Sequence, residues 1–203
     1  KIMFNGKKTS RRTVLKATLG GAALAAAPGL VKYANAASDF KIGLFIPLSG
    51  PAALFGPSAK NCGELAIDEV NKSGGVLGRQ AKLYIADAGV PPAEAAKSAV
   101  RLMLRDKVDL IVGNHDSAVR QAIVGAVKGK IPYVYSPVYE GGECSPNVFM
   151  LGETPQQQLM PTIDHFAKTK GVKSYYLIGN DYVWPRVTNK LAKKYIAAAG
   201  GNV

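Results

Sequence analysis

One group of polar side chains in this sequence has the residue types and spacing needed to bind a small solute. His115, Asp116 and Ser117 follow a short apolar run and precede a helical pattern. Together with the first N–H groups of that helix, they would offer hydrogen bonds to a small polar ligand. The structural interpretation is that Asp116 or Ser117 caps the helix, and this role is compatible with ligand binding. These positions predict one wall of a binding site.

Aromatic residues mark two further segments of the same kind. Tyr135, Pro137 and Val138 end one apolar run, and Tyr182 and the single tryptophan, Trp184, follow another. Aromatic rings at the exposed ends of strands are typical of a recognition surface, because they combine a large apolar face with a polar edge. Packing in the core is the alternative for each of them. We expect these five residues to complete the site.

The motifs of several enzymatic and metal chemistries are missing from the sequence. It contains no G-x-x-x-x-G-K-[ST] loop, no G-x-G-x-x-G after a strand pattern and no G-x-S-x-G. His115 and His165 are 50 residues apart and show no helical pairing, so we predict no metal site. The sequence therefore predicts no catalytic residue and no cofactor.

The two cysteines, Cys62 and Cys144, form neither a zinc site on their own nor a C-x-x-C motif. Either they are buried or semi-buried thiols or they form one disulfide, and the sequence does not decide between these. An amidase that uses Cys144 as its nucleophile is a third functional hypothesis. It is disfavoured because the nearby carboxylates of Glu140 and Glu143 would raise the pKa of the thiol.

The basic charge of the chain is concentrated at its N-terminus. The formal net charge is +12, but residues 1–36 hold seven Lys or Arg residues and no acid, so residues 37–203 carry only +5. The small positive charge of residues 37–203 therefore gives little reason to expect a nucleic-acid partner.

The N-terminal segment has the pattern of an export signal. Arg11 and Arg12 form a twin-arginine pair, a short apolar run covers residues 17–31, and Ala34-Asn35-Ala36 provides a cleavage site after Ala36. The alternative of a membrane anchor is disfavoured because glycines and a proline interrupt this short run. The pattern predicts export by the twin-arginine route to the periplasm.

The rest of the chain alternates strand and helix patterns, which is typical of parallel βαβ units with helices on both faces of the sheet. Strands are predicted at 41–46, 81–86, 108–112, 131–135 and 174–178, with a short extended segment at 148–151. Such sheets bind ligands at the carboxyl ends of their strands. We predict a ligand-binding lobe over residues 37–152 and the truncated beginning of a second lobe over residues 153–203, as part of a longer two-lobe protein.

Several segments resemble the type I periplasmic substrate-binding proteins of ABC transporters, in the branched-chain amino acid, amide and urea group. The broad resemblance lies in IGLFIPLSG (42–50), LAIDEVN (65–71) with GGVLG (74–78), and DLIVG (109–113). Two segments are similar to the urea and short-chain amide binders in particular. They are YEGGECSPN (139–147) and GNDYVWPRVTN (179–189).

This resemblance implies two α/β lobes that close on a ligand. It places His115 with Ser117 in the first ligand loop and Tyr135, Pro137 and Val138 in the second. Tyr182 and Trp184 would close over the ligand from the second lobe. The chain departs from the amide binders at His115 and Trp184, where they carry Tyr, and at Pro137-Val138, where they carry Thr-Pro.

The resemblance implies a binding protein, not an enzyme, that delivers a small-molecule solute to an ABC permease in the membrane. Urea or a short-chain amide is favoured because the strand-end loops show no evident Arg for a carboxylate. A branched-chain or other amino acid is the alternative, with its ammonium group on Asp116. A ligand sensor of the same fold is the other alternative.

Overall fold

The computed structural model describes residues 38–113 and 115–203, together with two short antiparallel strands, β1 (Met3–Phe4) and β2 (Lys7–Lys8). The predicted twin-arginine pair, Arg11 and Arg12, and the cleavage site after Ala36 lie outside the described residues and stay predictions. Among the residues that are described, no helix is both long and apolar enough to span a bilayer.

Five parallel strands form the central sheet, as the alternating pattern predicts. Their order is β4-β3-β5-β6-β7, and every neighbouring pair is parallel. The strands are β3 (Phe40–Ile46), β4 (Ala81–Asp87), β5 (Leu110–Gly113), β6 (Tyr133–Tyr135) and β7 (Val148–Met150). Their carboxyl ends lie at one edge of the sheet, where the predicted ligand loops begin.

Helices begin where the local sequence provides a start signal. Proline stands at the first or second position of three of them, where the backbone N–H has no intrahelical partner. The helices are α1 (Gly56–Lys72), α2 (Pro92–Arg101), α3 (Ser117–Val127), α4 (Pro155–Lys170) and α5 (Val183–Ala198). A short 3₁₀ turn (Ala53–Phe55) precedes α1, and one π-helical turn (Leu102–Asp106) continues α2.

The core lies mainly on the face of the sheet that α2 and α3 cover. Phe45 and Ile111 of the strands and Ile123 of α3 are fully buried there. On the other face, Gly63 of α1 lies against the side chain of Leu44. Helices therefore cover both faces, and the predicted α/β class with a parallel sheet is confirmed.

The prediction of a regular strand at 174–178 is wrong. The structure has a single bridge there, between Ser174 and Asn202. Tyr175 and Leu177 pack against α4 and α5, whereas Tyr176 and Ile178 are 88% and 84% exposed. A strand needs neighbouring strands to be stable, and the described residues provide only this bridge.

The loops after β3 and β4 are joined by one carboxylate. Oδ1 of Asp87 accepts hydrogen bonds from the backbone N–H groups of Leu48 (2.8 Å), Ser49 (3.2 Å) and Gly89 (2.7 Å). Burial would raise the pKa of Asp87, but the Ser49 hydroxyl and these three N–H donors lower it overall. The ionised carboxylate therefore stabilises this edge of the sheet.

Asp87→Asn is expected to lower the free energy of unfolding by about 1 kcal/mol at pH 7, because the amide keeps an acceptor and loses the charge. The folded state depresses the pKa of Asp87, so its contribution is present above about pH 4 and is lost as the pH falls further. Urea denaturation at pH 7 and pH 3 would measure both values. Asp68→Asn, at an exposed position of α1, is the matched control, and an equal effect of both variants would contradict the prediction.

Candidate functional site

The carboxyl ends of β3, β5 and β6 surround a cavity of about 500 Å³. His115 and Pro137, two of the predicted ligand residues, line it together with apolar side chains such as Leu44 and Phe55. The first and second predicted ligand loops therefore meet at one cavity, as expected for an open parallel sheet.

The first loop carries polar atoms that belong partly to the fold and partly to the cavity. Asp116 caps α3, since its Oδ1 accepts a hydrogen bond from the N–H of Val119 at 2.7 Å. Its Oδ2 lies 3.4 Å from Nε2 of His115. Nδ1 of His115 is buried and has no hydrogen-bond partner among the described residues. The capping role of Asp116 is thus confirmed, and a ligand role remains a prediction.

Tyr135 lies in the core rather than on an exposed surface. Its ring is fully buried and makes an edge-to-face contact with Tyr133, with 6.4 Å between the ring centroids. Burial raises the pKa of Tyr135 to about 12, although the nearby Ser117 hydroxyl, fully buried, and the positive charge of Arg120 oppose the shift. The hydroxyl is therefore neutral at physiological pH. Val138 is half-buried in the loop that follows β6.

Behind this loop lies a buried ionic cluster that consists of Arg120, Glu140 and Glu143. The Arg120 side chain is 5% exposed. Its Nη2 donates to Oε2 of Glu140 at 2.9 Å, and its Nη1 donates to Oε2 of Glu143. The guanidinium also lies over the rings of Tyr135 and Tyr139, at 5.4 and 5.9 Å from their centroids. The cluster fixes the loop after β6 to helix α3.

The sequence analysis did not select Arg120, Glu140 or Glu143 as site residues, although the pattern contains a signal for them. Val119 and Ile123 mark the buried stripe of α3, and Arg120 lies within that stripe. A guanidinium at such a position requires carboxylate partners. The closely spaced Glu140 and Glu143 are suitable partners, but only the fold shows that they reach it.

Tyr182 precedes α5 and is half-buried. Burial raises the pKa of Tyr182, and the negative charges of Asp116 and Glu140 raise it further. Trp184 instead lines a separate cavity of about 610 Å³, and its Nε1 is buried with no hydrogen-bond partner among the described residues.

Both cysteines are exposed, free thiols, so the expectation of buried or semi-buried side chains is wrong. Cys62 lies on α1, and the Sγ of Cys144 lies 3.6 Å from the carbonyl oxygen of Gly142. The alternative disulfide is not formed in this structure. In the part of the chain that the structure describes, no group of three His, Cys, Asp or Glu side chains could hold a metal ion.

Comparison with known proteins identifies the family of this chain. The family model described as "Periplasmic binding protein" matches residues 39–203. The chain belongs to the type I periplasmic binding protein family. The resemblance inferred from the sequence motifs is thereby confirmed for the family and for the fold.

Three relatives illustrate the range of this family. The Leu/Ile/Val-binding protein homolog 8 of Brucella suis biovar 1 is 33% identical over 156 residues, which are 76% of this chain and 37% of that protein. A solute-binding protein of an ABC transporter from R. palustris, solved in complex with benzoate, has a TM-score of 0.68 and 25% identity, over 81% of this chain and 46% of that one.

The substrate-binding protein of a branched-chain amino acid transporter from Streptococcus pneumoniae, solved with isoleucine, has a TM-score of 0.63 and 23% identity. That match covers 77% of this chain and 46% of the other, and it supports the fold alone. The chain spans less than half the length of these relatives.

Proposed function

We propose that this protein is the extracytoplasmic solute receptor of an ABC importer and that its solute is urea or a short-chain amide. Membership of the periplasmic binding protein family supports the receptor role and the delivery of a solute to a membrane permease. The twin-arginine pattern at Arg11 and Arg12 supports export to the periplasm. The proposed site is the cleft bounded by the loops at His115 and Pro137 and by the Tyr182 segment.

The observation that carries the choice of solute is the acidic character of the loops at the proposed site. Asp116 lies 3.4 Å from His115, which lines the cavity, and the buried Glu140 carboxylate follows Pro137 in the next loop; the charges of both raise the pKa of Tyr182. Arg120, the buried cation beside them, is already bound by two carboxylates. A carboxylate ligand would therefore be repelled, whereas the N–H groups of urea or an amide would find acceptors.

Branched-chain amino acids are the second candidate, because the curated relatives are named as Leu/Ile/Val-binding proteins. The ammonium group would lie on Asp116, and the N–H groups at the start of α3 would bind the carboxylate. The negative charge of Glu140 near the same position disfavours that carboxylate, and for this reason we place amides first.

Solute binding would favour a closed arrangement of the two lobes, because only the closed form makes contacts with the solute from both sides. Tyr182 would provide the contact from the second lobe. The permease would then recognise the closed, liganded form.

Tyr182→Phe is expected to weaken binding of urea to the complete gene product about tenfold, because it removes one hydroxyl from the closed cleft. Isothermal titration calorimetry would measure the dissociation constant. Tyr176→Phe is the matched control, since Tyr176 is 88% exposed and we expect no change there. Equal affinities of both variants would contradict the assignment of Tyr182 to the site.

A further inference from the structure

We propose that Glu140 is the acceptor that binds an N–H group of the solute and that Arg120 is the positioning residue which holds it. This inference rests on the proposed function and specifies how the solute would be recognised. It starts from a difference between the two carboxylates that share Arg120.

Glu143 uses both of its oxygens within the protein. Its Oε2 accepts a hydrogen bond from Arg120, and its Oε1 accepts one from the backbone N–H of Ser145 at 3.0 Å. Burial would raise the pKa of Glu143, but the hydrogen bonds from Ser145 and the positive charge of Arg120 lower it overall. Glu143 is thus a fully satisfied structural group.

Glu140 uses only one of its oxygens. Its Oε2 is held by Arg120 at 2.9 Å. Its Oε1 is buried and has no hydrogen-bond partner among the residues that the structure describes, and the side chain is only 8% exposed. A buried carboxylate oxygen without a donor is costly, so native structures rarely retain one without a functional reason.

The position of Glu140 links this oxygen with the cleft. The charge of Glu140 raises the pKa of Tyr135, in the core below the loop, and of Tyr182, at the start of α5. Glu140 also belongs to the loop whose residues Ser136 and Pro137 line the cavity of about 500 Å³. A solute N–H donated to Oε1 would satisfy the oxygen and would leave the bond to Arg120 intact.

This arrangement predicts selection by hydrogen-bond polarity. Acetamide and acetate have nearly the same shape, but acetamide offers N–H donors and acetate offers only negatively charged acceptors. The Glu140 carboxylate would attract the first and repel the second. In this proposal Arg120 acts by holding Glu140 through Nη2 and Glu143 through Nη1, while its Nε is buried and has no hydrogen-bond partner among the described residues.

The test compares Glu140→Gln with Glu143→Gln in the complete gene product, with acetamide and acetate as calorimetric probes. In Glu140→Gln, the carboxamide oxygen would stay with Arg120 and the NH₂ group would replace the acceptor. We expect acetamide to bind about 10- to 100-fold more weakly, and the preference for acetamide over acetate to narrow by at least about tenfold. In Glu143→Gln, which loses the same charge from the same cluster, acetamide affinity should change less than about threefold.

The outcomes separate the two claims. Wild-type protein that binds no short amide overturns the proposed function. Wild-type protein that binds acetamide, combined with an unchanged dissociation constant and unchanged selectivity in a folded Glu140→Gln, overturns only the role of Glu140. Equal losses in both variants also overturn it, because they would show a structural effect of the cluster. A loss confined to Glu140→Gln supports the inference.

Discussion

Arg120→Met is expected to lower the free energy of unfolding by about 3–5 kcal/mol at neutral pH. The substitution keeps much of the apolar stem and removes the guanidinium. Two carboxylates with side chains only 8% and 12% exposed, Glu140 and Glu143, would then lie close together without a cation. Guanidinium chloride denaturation followed by circular dichroism would measure the difference.

The same variant should show a distinctive pH dependence. In the wild-type protein the folded state lowers the pKa of Glu143, so the stability gained from this carboxylate is present above about pH 4 and is lost as the pH falls. Without Arg120, acid would instead relieve the repulsion between the two carboxylates. The stability gap between wild type and Arg120→Met should therefore narrow as the pH falls from 7 to 4.

Two controls separate this mechanism from a general loss of charge. Adding Glu140→Gln and Glu143→Gln to Arg120→Met should restore most of the stability, because no buried charge remains unpaired. Arg186→Met should have little effect, since Arg186 and its partner Asp181 are 65% and 84% exposed. A loss as large for Arg186→Met as for Arg120→Met would contradict the account.

Gly89→Ala is expected to lower the free energy of unfolding by about 3 kcal/mol, because the new methyl group would collide with backbone. A Cβ atom at Gly89 would lie 1.8 Å from the carbonyl oxygen of Ser49. That contact is fixed from both sides, since Asp87 binds the N–H groups of Ser49 and Gly89. The loops after β3 and β4 would have to separate, and their bonds to Asp87 would weaken.

Gly125→Ala provides the matched comparison for Gly89→Ala. Gly125 lies within α3, where a Cβ atom would have no neighbour within 4 Å. Alanine there should raise the stability by about 0.5–1 kcal/mol, because glycine in a helix is entropically unfavourable. Thermal unfolding of both variants would measure the difference. A neutral Gly89→Ala would show that the two loops are not held as closely as the structure has them.

The fold was largely predictable because each of its signals is local. Apolar runs such as residues 110–112 and the spacing of Val119 and Ile123 on α3 follow from the periods of strand and helix. Asp116 as a cap of α3 also depends only on neighbouring residues. Parallel pairing then follows from the alternation of strands and helices.

The ionic cluster and the strand predicted at 174–178 are two features that local sequence signals do not determine. Arg120 lies 20 residues from Glu140 along the chain, and no periodicity joins them. The apolar run at 174–178 is typical of a strand, but a regular strand also depends on neighbouring strands, and the structure forms a single bridge there. Pairings between distant segments require the fold itself.

The most direct test of the central claim is a calorimetric titration of the complete gene product with urea, acetamide, leucine and benzoate. The charges of Asp116 and Glu140 around Tyr182 predict saturable binding of urea or acetamide and no binding of benzoate. Saturable binding of benzoate or leucine, with urea and acetamide inert, would contradict a cleft that selects its solute by N–H donors.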